Sequence, residues 1–267
     1  MSQTQQDGAG ALFKAGRLTE AVEAASAALK KTPQDLSARV LLAELLIFAG
    51  NLERADVILD AAAGLDPSAA TVVAEFRQLI RADMARRQLR RDGRVPEFLG
   101  EPTEALKAAL RALVALRAGD MAGAAKEAEA AEAARPRLAG KHGDTAFDDI
   151  RDADDILGPC FEVLTTTGKY FWIPTERILS AEFHPPKRVR DLFWRRCSMS
   201  VKEGPDGDVY VPVVYGWEDG GLSDELKLGR GTGWTDTAPV RGSGQRTLLV
   251  GEDALGIMEL GSLTFET

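Results

Sequence analysis

The chain has 267 residues, enough for one large or two ordinary domains, and its 45% hydrophobic and 28% charged side chains supply a core, which excludes a disordered polyampholyte. Its 33 basic and 41 acidic side chains leave a net charge of −8, a poor overall match to nucleic acid or anionic lipid. Two cysteines, Cys160 and Cys197, exclude a disulfide framework and a four-thiolate zinc site.

The first ten residues are polar and lack the apolar stretch of a signal peptide, and no apolar run nears the roughly 20 residues of a membrane helix. The expectation is a soluble protein of the reducing cytoplasm. Composition changes near residue 140. Every Trp, Tyr, His and Cys lies beyond it, whereas Ala, Leu, Arg and Glu, all good helix formers, dominate before it. Residues 1–140 carry 19 basic and 19 acidic side chains, so the whole net charge sits in residues 141–267. A cut in the polar segment RPRLAGKHGD divides the chain into a helical domain, 1–140, and a β-rich domain, 141–267.

The first half repeats itself. Ala15-Gly16-Arg17-Leu18 is followed by Ala21 and Pro33, and the same punctuation returns 34 residues later as Ala49-Gly50-Asn51-Leu52, Ala55 and Pro67. A third copy is Ala118-Gly119-Asp120-Met121, Ala124 and Pro136, with the same 17-residue spacing from Gly to Pro. Gly at these positions ends one helix in the left-handed conformation, the small Ala lets the next helix pack close, and Pro stops it. A helix–turn–helix of this period resembles a degenerate tetratricopeptide repeat whose usual Trp and Tyr positions are not filled. Between copies two and three, residues 69–92 read as one long helix. Arg77, Arg81, Arg86, Arg87, Arg90 and Arg91, with Arg94 just beyond its end, make it strongly basic, either as a solvated face or as a dock for an acidic surface. A break at PEFLGEP precedes another helix near Thr103 and Glu104.

Stacked helical hairpins leave a concave face lined by the first helix of each unit, and an amphipathic partner helix lies in such a face with its apolar side down. The repeat register puts Phe13, then Val40, Glu44 and Ile47, then Ala74, Gln78 and Arg81 there. Val40 and Ile47 read equally as core within the repeat.

In the second half, residues 153–164 and 190–194 read as helical, and the Asp-rich run from Asp144 to Asp155 as carboxylates at a helix start. Strand candidates are 170–173, 179–183, 246–250 and 257–265, with a hairpin of 197–202 and 208–215 around Gly204-Pro205-Asp206-Gly207. The expected fold is a TPR-like α–α superhelix followed by a compact β-rich domain, α+β or small barrel.

Chemistry is sparse. Thr165-Thr166-Thr167-Gly168-Lys169-Tyr170 resembles the end of a phosphate loop, but Val163 stands where its first Gly belongs and Tyr170 where Ser or Thr belongs. The glycine-rich stretches at 229–233 and 242–244 read as turns. His142 and His184 have no metal-ligand spacing to a second His or Cys, and no Ser lies in a nucleophile elbow. No catalytic residue, metal ligand or cofactor motif emerges, although a Ser-His-Asp site formed in space is not excluded. One segment, FHPPKRVRDLFWRR at 183–196, is basic within an acidic half. Lys187, Arg188, Arg190, Trp194, Arg195 and Arg196 are residue types that anchor interfaces, unless Trp194 is core and the arginines pair internally.

These residues carry a resemblance. Asp152-Ala153-Asp154-Asp155, Leu157-Gly158-Pro159, Gly168-Lys169-Tyr170-Phe171-Trp172-Ile173-Pro174 and Glu176-Arg177-Ile178 are similar to the ImpE/TagJ family. So are Pro185-Pro186 with Arg190-Asp191-Leu192 and Trp194, and, upstream, Leu99-Gly100-Glu101-Pro102. The resemblance implies a cytoplasmic, non-enzymatic accessory protein of a bacterial type VI secretion system. It implies binding to a helix of the small sheath subunit (TssB type) and a link to the ClpV-type AAA+ unfoldase that recycles sheath. It carries over no catalytic residues. The alternatives are an enzyme with an unrecognised pocket in the second half, or a binder of acidic protein or nucleic acid through the Arg-rich segments.

Overall fold

The structure, a computed structural model, describes residues 3–216 and 221–266, so Trp217 lies outside the described residues. Four helices open the chain as two hairpins: α1 Gln3–Lys14 with α2 Leu18–Lys31, and α3 Leu36–Phe48 with α4 Leu52–Ala62. The long α5, Ala70–Asp92, follows, and then a third hairpin of α6, Glu104–Arg117, and α7, Met121–Ala134. The repeat punctuation acts as expected. Gly16, Gly50 and Gly119 have φ of 83°, 81° and 76°. At each, the Gly N–H returns to the carbonyl three residues back and the next N–H to the one five back, which closes the helix with its last carbonyls satisfied. Ala21, Ala55 and Ala124 are fully buried where the hairpin helices cross.

The second half is a sheet wrapped on the helices. An eight-stranded antiparallel sheet runs β2-β1-β13-β6-β7-β8-β4-β5. Its strands are β1 Gly140–His142, β2 Thr145–Phe147, β4 Cys160–Leu164, β5 Tyr170–Pro174, β6 Ile178–Phe183, β7 Trp194–Val201, β8 Asp206–Pro212 and β13 Ser262–Phe265. A smaller sheet joins β12 Asp253–Gly256, β11 Thr247–Val250 and β3 Ile150–Asp152. A two-stranded ribbon pairs β9 Thr232–Trp234 with β10 Gly242–Gly244. The short α8, Asp224–Lys227, precedes the ribbon. The large sheet ends at β2 and β5, which do not pair with each other, so the arrangement is α+β and not a closed barrel.

Three expectations are corrected. Residues 153–159 are turns and 160–164 form β4, all five of whose residues are buried. A run buried on both faces lacks the alternation that marks a strand and mimics a helix turn. Residues 190–192 belong to a 3₁₀ turn, Val189–Leu192, and Trp194 already starts β7. The Asp-rich run starts no helix. Asp149 takes Arg135, Asp152 takes Arg246, and Asp154 accepts the N–H groups of Ile156 and Gly242. The phosphate-loop-like segment is the loop of the β4–β5 hairpin. Thr165 N–H meets Lys169 O, and Gly168 at φ 82° lies so close to Gln78 that a Cβ would stand 2.5 Å from its Oε1.

The two halves share one continuous core. The linker after α5 adds Glu97 as a parallel bridge beside Phe171 on the outer edge of β5. Arginines tie helix ends across the molecule. Arg230 donates to the carbonyls of Phe13 and Lys14 at the end of α1, Arg87 to that of Gly50, and Arg117 to that of Leu89.

Candidate functional site

The repeat helices α3 and α5 meet the chain's own second half. Pro185-Pro186 leads an extended segment into this contact, and Asp191 stops that segment by accepting the backbone N–H groups of Lys187 and Arg188 at 2.8 and 2.9 Å. The 3₁₀ turn that follows lies against α3. An aromatic chain fixes the contact: Phe13 on Phe48 at 5.2 Å, Phe48 on Phe193 at 5.0 Å, Phe193 on Trp194 at 5.4 Å and Trp194 on Phe76 at 6.1 Å, all edge to face. The Arg190 guanidinium lies 5.0 Å over the Phe76 ring.

What remains open is a groove of about 690 Å³. Its walls are Phe13 of α1, Leu36, Val40 and Leu41 of α3, Val72 and Val73 of α5, and Val189 and Leu192 of the 3₁₀ turn. Lys14, Lys187 and Arg188 stand exposed around it. Glu44 closes the floor; it is buried and hydrogen-bonded to the Arg190 backbone, and burial pushes its carboxyl from 4.5 to about 7.

The sequence-derived site residues therefore separate. Phe13, Val40, Glu44, Lys187 and Arg188 meet at the groove. Ile47 is fully buried and lines a second cleft with Phe48, Phe193 and Val214, and Gln78 abuts Gly168; both face the second half rather than an open surface. Ala74 and Arg81 are exposed on α5 but do not line the groove. Trp194 is fully buried, Arg190 and Arg195 are 5% exposed, and Arg196 pairs with Asp208. Trp194, Arg190 and Arg195 are framework because the sheet is folded directly onto the helices, so residues beside the repeats lie inside; Arg196 stays exposed and is held by its acid. Leu36, Leu41, Val72, Val189 and Leu192 were missed as groove residues. Nothing in a repeat register marks the 3₁₀ turn as a wall.

The basic helix is also resolved. Arg86 and Arg90, one turn apart on α5, both reach Glu162 of β4, Arg86 through two contacts of 2.8 and 2.7 Å and Arg90 through one of 2.8 Å. Arg246, fully buried, donates to Asp152 at 2.6 Å and lies 3.5 Å from Glu162. The Trp172 indole donates to the Tyr170 hydroxyl, which donates to Glu162 at 2.5 Å. Despite burial, the three guanidinium groups hold the Glu162 carboxyl far below its ordinary range. Arg77 pairs with Asp56 and Asp60. A single acid in an otherwise apolar strand, Cys160-Phe161-Glu162-Val163-Leu164, was the available signal for this cluster.

One constellation looks catalytic and is not built as such. His184 Nε2 lies 2.8 Å from Ser198 Oγ, and that hydroxyl donates to Asp208 at 2.6 Å. With its proton committed to the carboxylate, Ser198 accepts from the imidazole, the reverse of a serine whose proton a histidine base removes. Asp208 also holds Arg196. His142 accepts the Gly261 N–H at 2.9 Å. Both thiols are buried, and burial raises Cys197 to about 12. Among the described residues no group of three or more His, Cys, Asp or Glu is placed to hold a metal ion. No described helix is long and apolar enough to cross a membrane.

Comparison with known proteins agrees with this architecture. The family model described as ImpE protein matches residues 144–264, and a tetratricopeptide repeat model matches residues 12–80. The type VI secretion system accessory component TagJ of Pseudomonas aeruginosa is 30% identical over 256 residues, which cover 96% of this chain and 90% of that protein. The X-ray crystal structure of a protein from Vibrio parahaemolyticus superposes with a TM-score of 0.91 at 30% identity, covering 97% of this chain and 98% of the other.

Proposed function

The chain belongs to the ImpE/TagJ family, and from that premise we propose that it is a non-enzymatic accessory adaptor of a bacterial type VI secretion system, working in the cytoplasm. Its groove binds a helix of the small sheath subunit, TssB type, and through that contact it is linked to sheath recycling by the ClpV-type unfoldase. Residues 1–140 and 141–267 are read as two units acting as one body.

The observation that supports this reading is the groove. It is lined by α1, α3 and α5, the first helices of successive repeat units, is largely apolar along its walls and is of a size to take one stripe of a helix. Mixed apolar and charged lining is what recognition of an amphipathic helix requires. The hydrogen-bond direction at Ser198 and the burial of both thiols favour an adaptor over a hydrolase.

The test is calorimetry or pulldown with purified chain and the small sheath subunit of the same gene cluster, with the unfoldase as a separate arm. Saturable binding to the sheath subunit is expected. Failure to bind any component of the secretion system would overturn the proposal.

A further inference from the structure

We propose that the groove selects an amphipathic helix whose apolar stripe is edged by carboxylates, an inference that rests on reading the groove as the docking site. The ground is a local reversal of charge. The chain is −8 overall, yet the exposed charged side chains lining the groove are Lys14, Lys187 and Arg188. Lys14 ends α1, while Lys187 and Arg188 come from the segment before the 3₁₀ turn, so the cations belong to two separate elements of the groove. Among the described residues none of the three makes a salt bridge. Arg196, a few residues on, pairs with Asp208 in the ordinary way. The one acid among the lining residues is Glu44, sunk in the floor, engaged by the Arg190 backbone and lying within the field of Arg190 and Arg188.

Geometry turns this into selectivity. A helix with side chains is about 10–12 Å across, so a groove of this size takes its apolar stripe and leaves the flanking positions at the rim. Glutamates there meet exposed cations that make no salt bridge. Lysines there meet like charge, and no lining carboxylate except one already buried. Charge at a rim governs selection and encounter more than total affinity, and salt screens it.

Two synthetic 18-residue helices with the same Leu stripe, one edged by Glu and one by Lys, test the rule by fluorescence anisotropy on the full chain. The net negative charge of the protein favours the Lys-edged peptide, so a preference for the Glu-edged one marks a local cationic surface, which the groove variant assigns. The expected preference is about tenfold at low salt, falling toward parity as salt rises. The variant carrying K14E, K187E and R188E is expected to reverse it. Should that variant not fold, the salt titration of the unaltered chain decides. Equal binding, a Lys preference, or binding of neither peptide overturns the inference. Binding of the sheath subunit, measured in parallel, judges the adaptor role separately. If the subunit binds and the peptides are not discriminated, the charge rule alone falls.

Discussion

The helices meet the sheet in two places by opposite chemistry. At Glu162 the contact is a dry cluster in which Arg86, Arg90 and Arg246 converge on one acid from two halves of the chain. At the groove the contact is an apolar wall ringed by cations that remain in water. Basic residues of similar density along the sequence thus do unlike things. Arg86 and Arg90 of α5 tie the two halves together, whereas Lys187 and Arg188 stay exposed at the groove. The difference teaches that a charge run says nothing of its use until the partner carboxylates are placed.

The sharpest way to break this contrast is to remove the hub. Glu162→Gln removes the one carboxylate that Arg86, Arg90 and Arg246 share, leaving Asp152 to Arg246 and the more distant Asp83 to Arg86, and is expected to cost about 3–5 kcal/mol in denaturant unfolding; a change below about 1 kcal/mol would show that the cluster is not what joins the halves. Ile47→Asp, which buries an unpaired carboxylate in the shared core, is expected to be of the same order or to prevent folding.

Glu44→Gln probes the groove floor. The unfolded carboxyl titrates near 4.5 and the folded one at about 7, so the native state holds the extra proton between these values and wild-type stability falls as pH rises through that window. The Gln variant, which keeps an acceptor for Arg190, is expected to be more stable than wild type by about 2 kcal/mol at pH 8 and no different at pH 4. A gain of equal size at both pH values would refute this assignment.

Val72→Asp sharpens the comparison from the other side. Val72 is 37% exposed in the first turn of α5, where a carboxylate faces the helix dipole favourably, so stability should move by less than about 0.5 kcal/mol. Sheath-subunit binding should weaken about tenfold or more, read by calorimetry. Smallest of all, Ser198→Ala should change the melting free energy by less than about 1 kcal/mol and leave ester hydrolysis at the buffer rate. Hydrolysis above buffer that this variant abolishes would overturn the reading of that cluster.

Much of the helical half could be read from sequence because its signals are local. Gly16, Gly50 and Gly119 each close a helix with hydrogen bonds spanning a few residues, and the alanines that follow have a period. The hairpin around Gly204 was visible for the same reason. β4 was not, because a strand covered on both faces has no alternation to show. The groove was half legible. Phe13, Val40 and Glu44 follow from repeat register, but Val189 and Leu192 arrive from more than 140 residues away along the chain, on a turn whose placement depends on Phe193 and Trp194 meeting Phe48 and Phe76. The buried cluster depends on pairings such as Arg86 with Glu162, 76 residues apart, which no local pattern encodes.

The segment from Pro185 to Leu192 has one more implication. Because it supplies a wall of the cleft that the first hairpins begin, the cleft is not a portable property of the repeats. A truncation that stops after α7 would lose two of the three rim cations and lay bare Phe48 and Phe76, leaving a helical fragment with an exposed aromatic face.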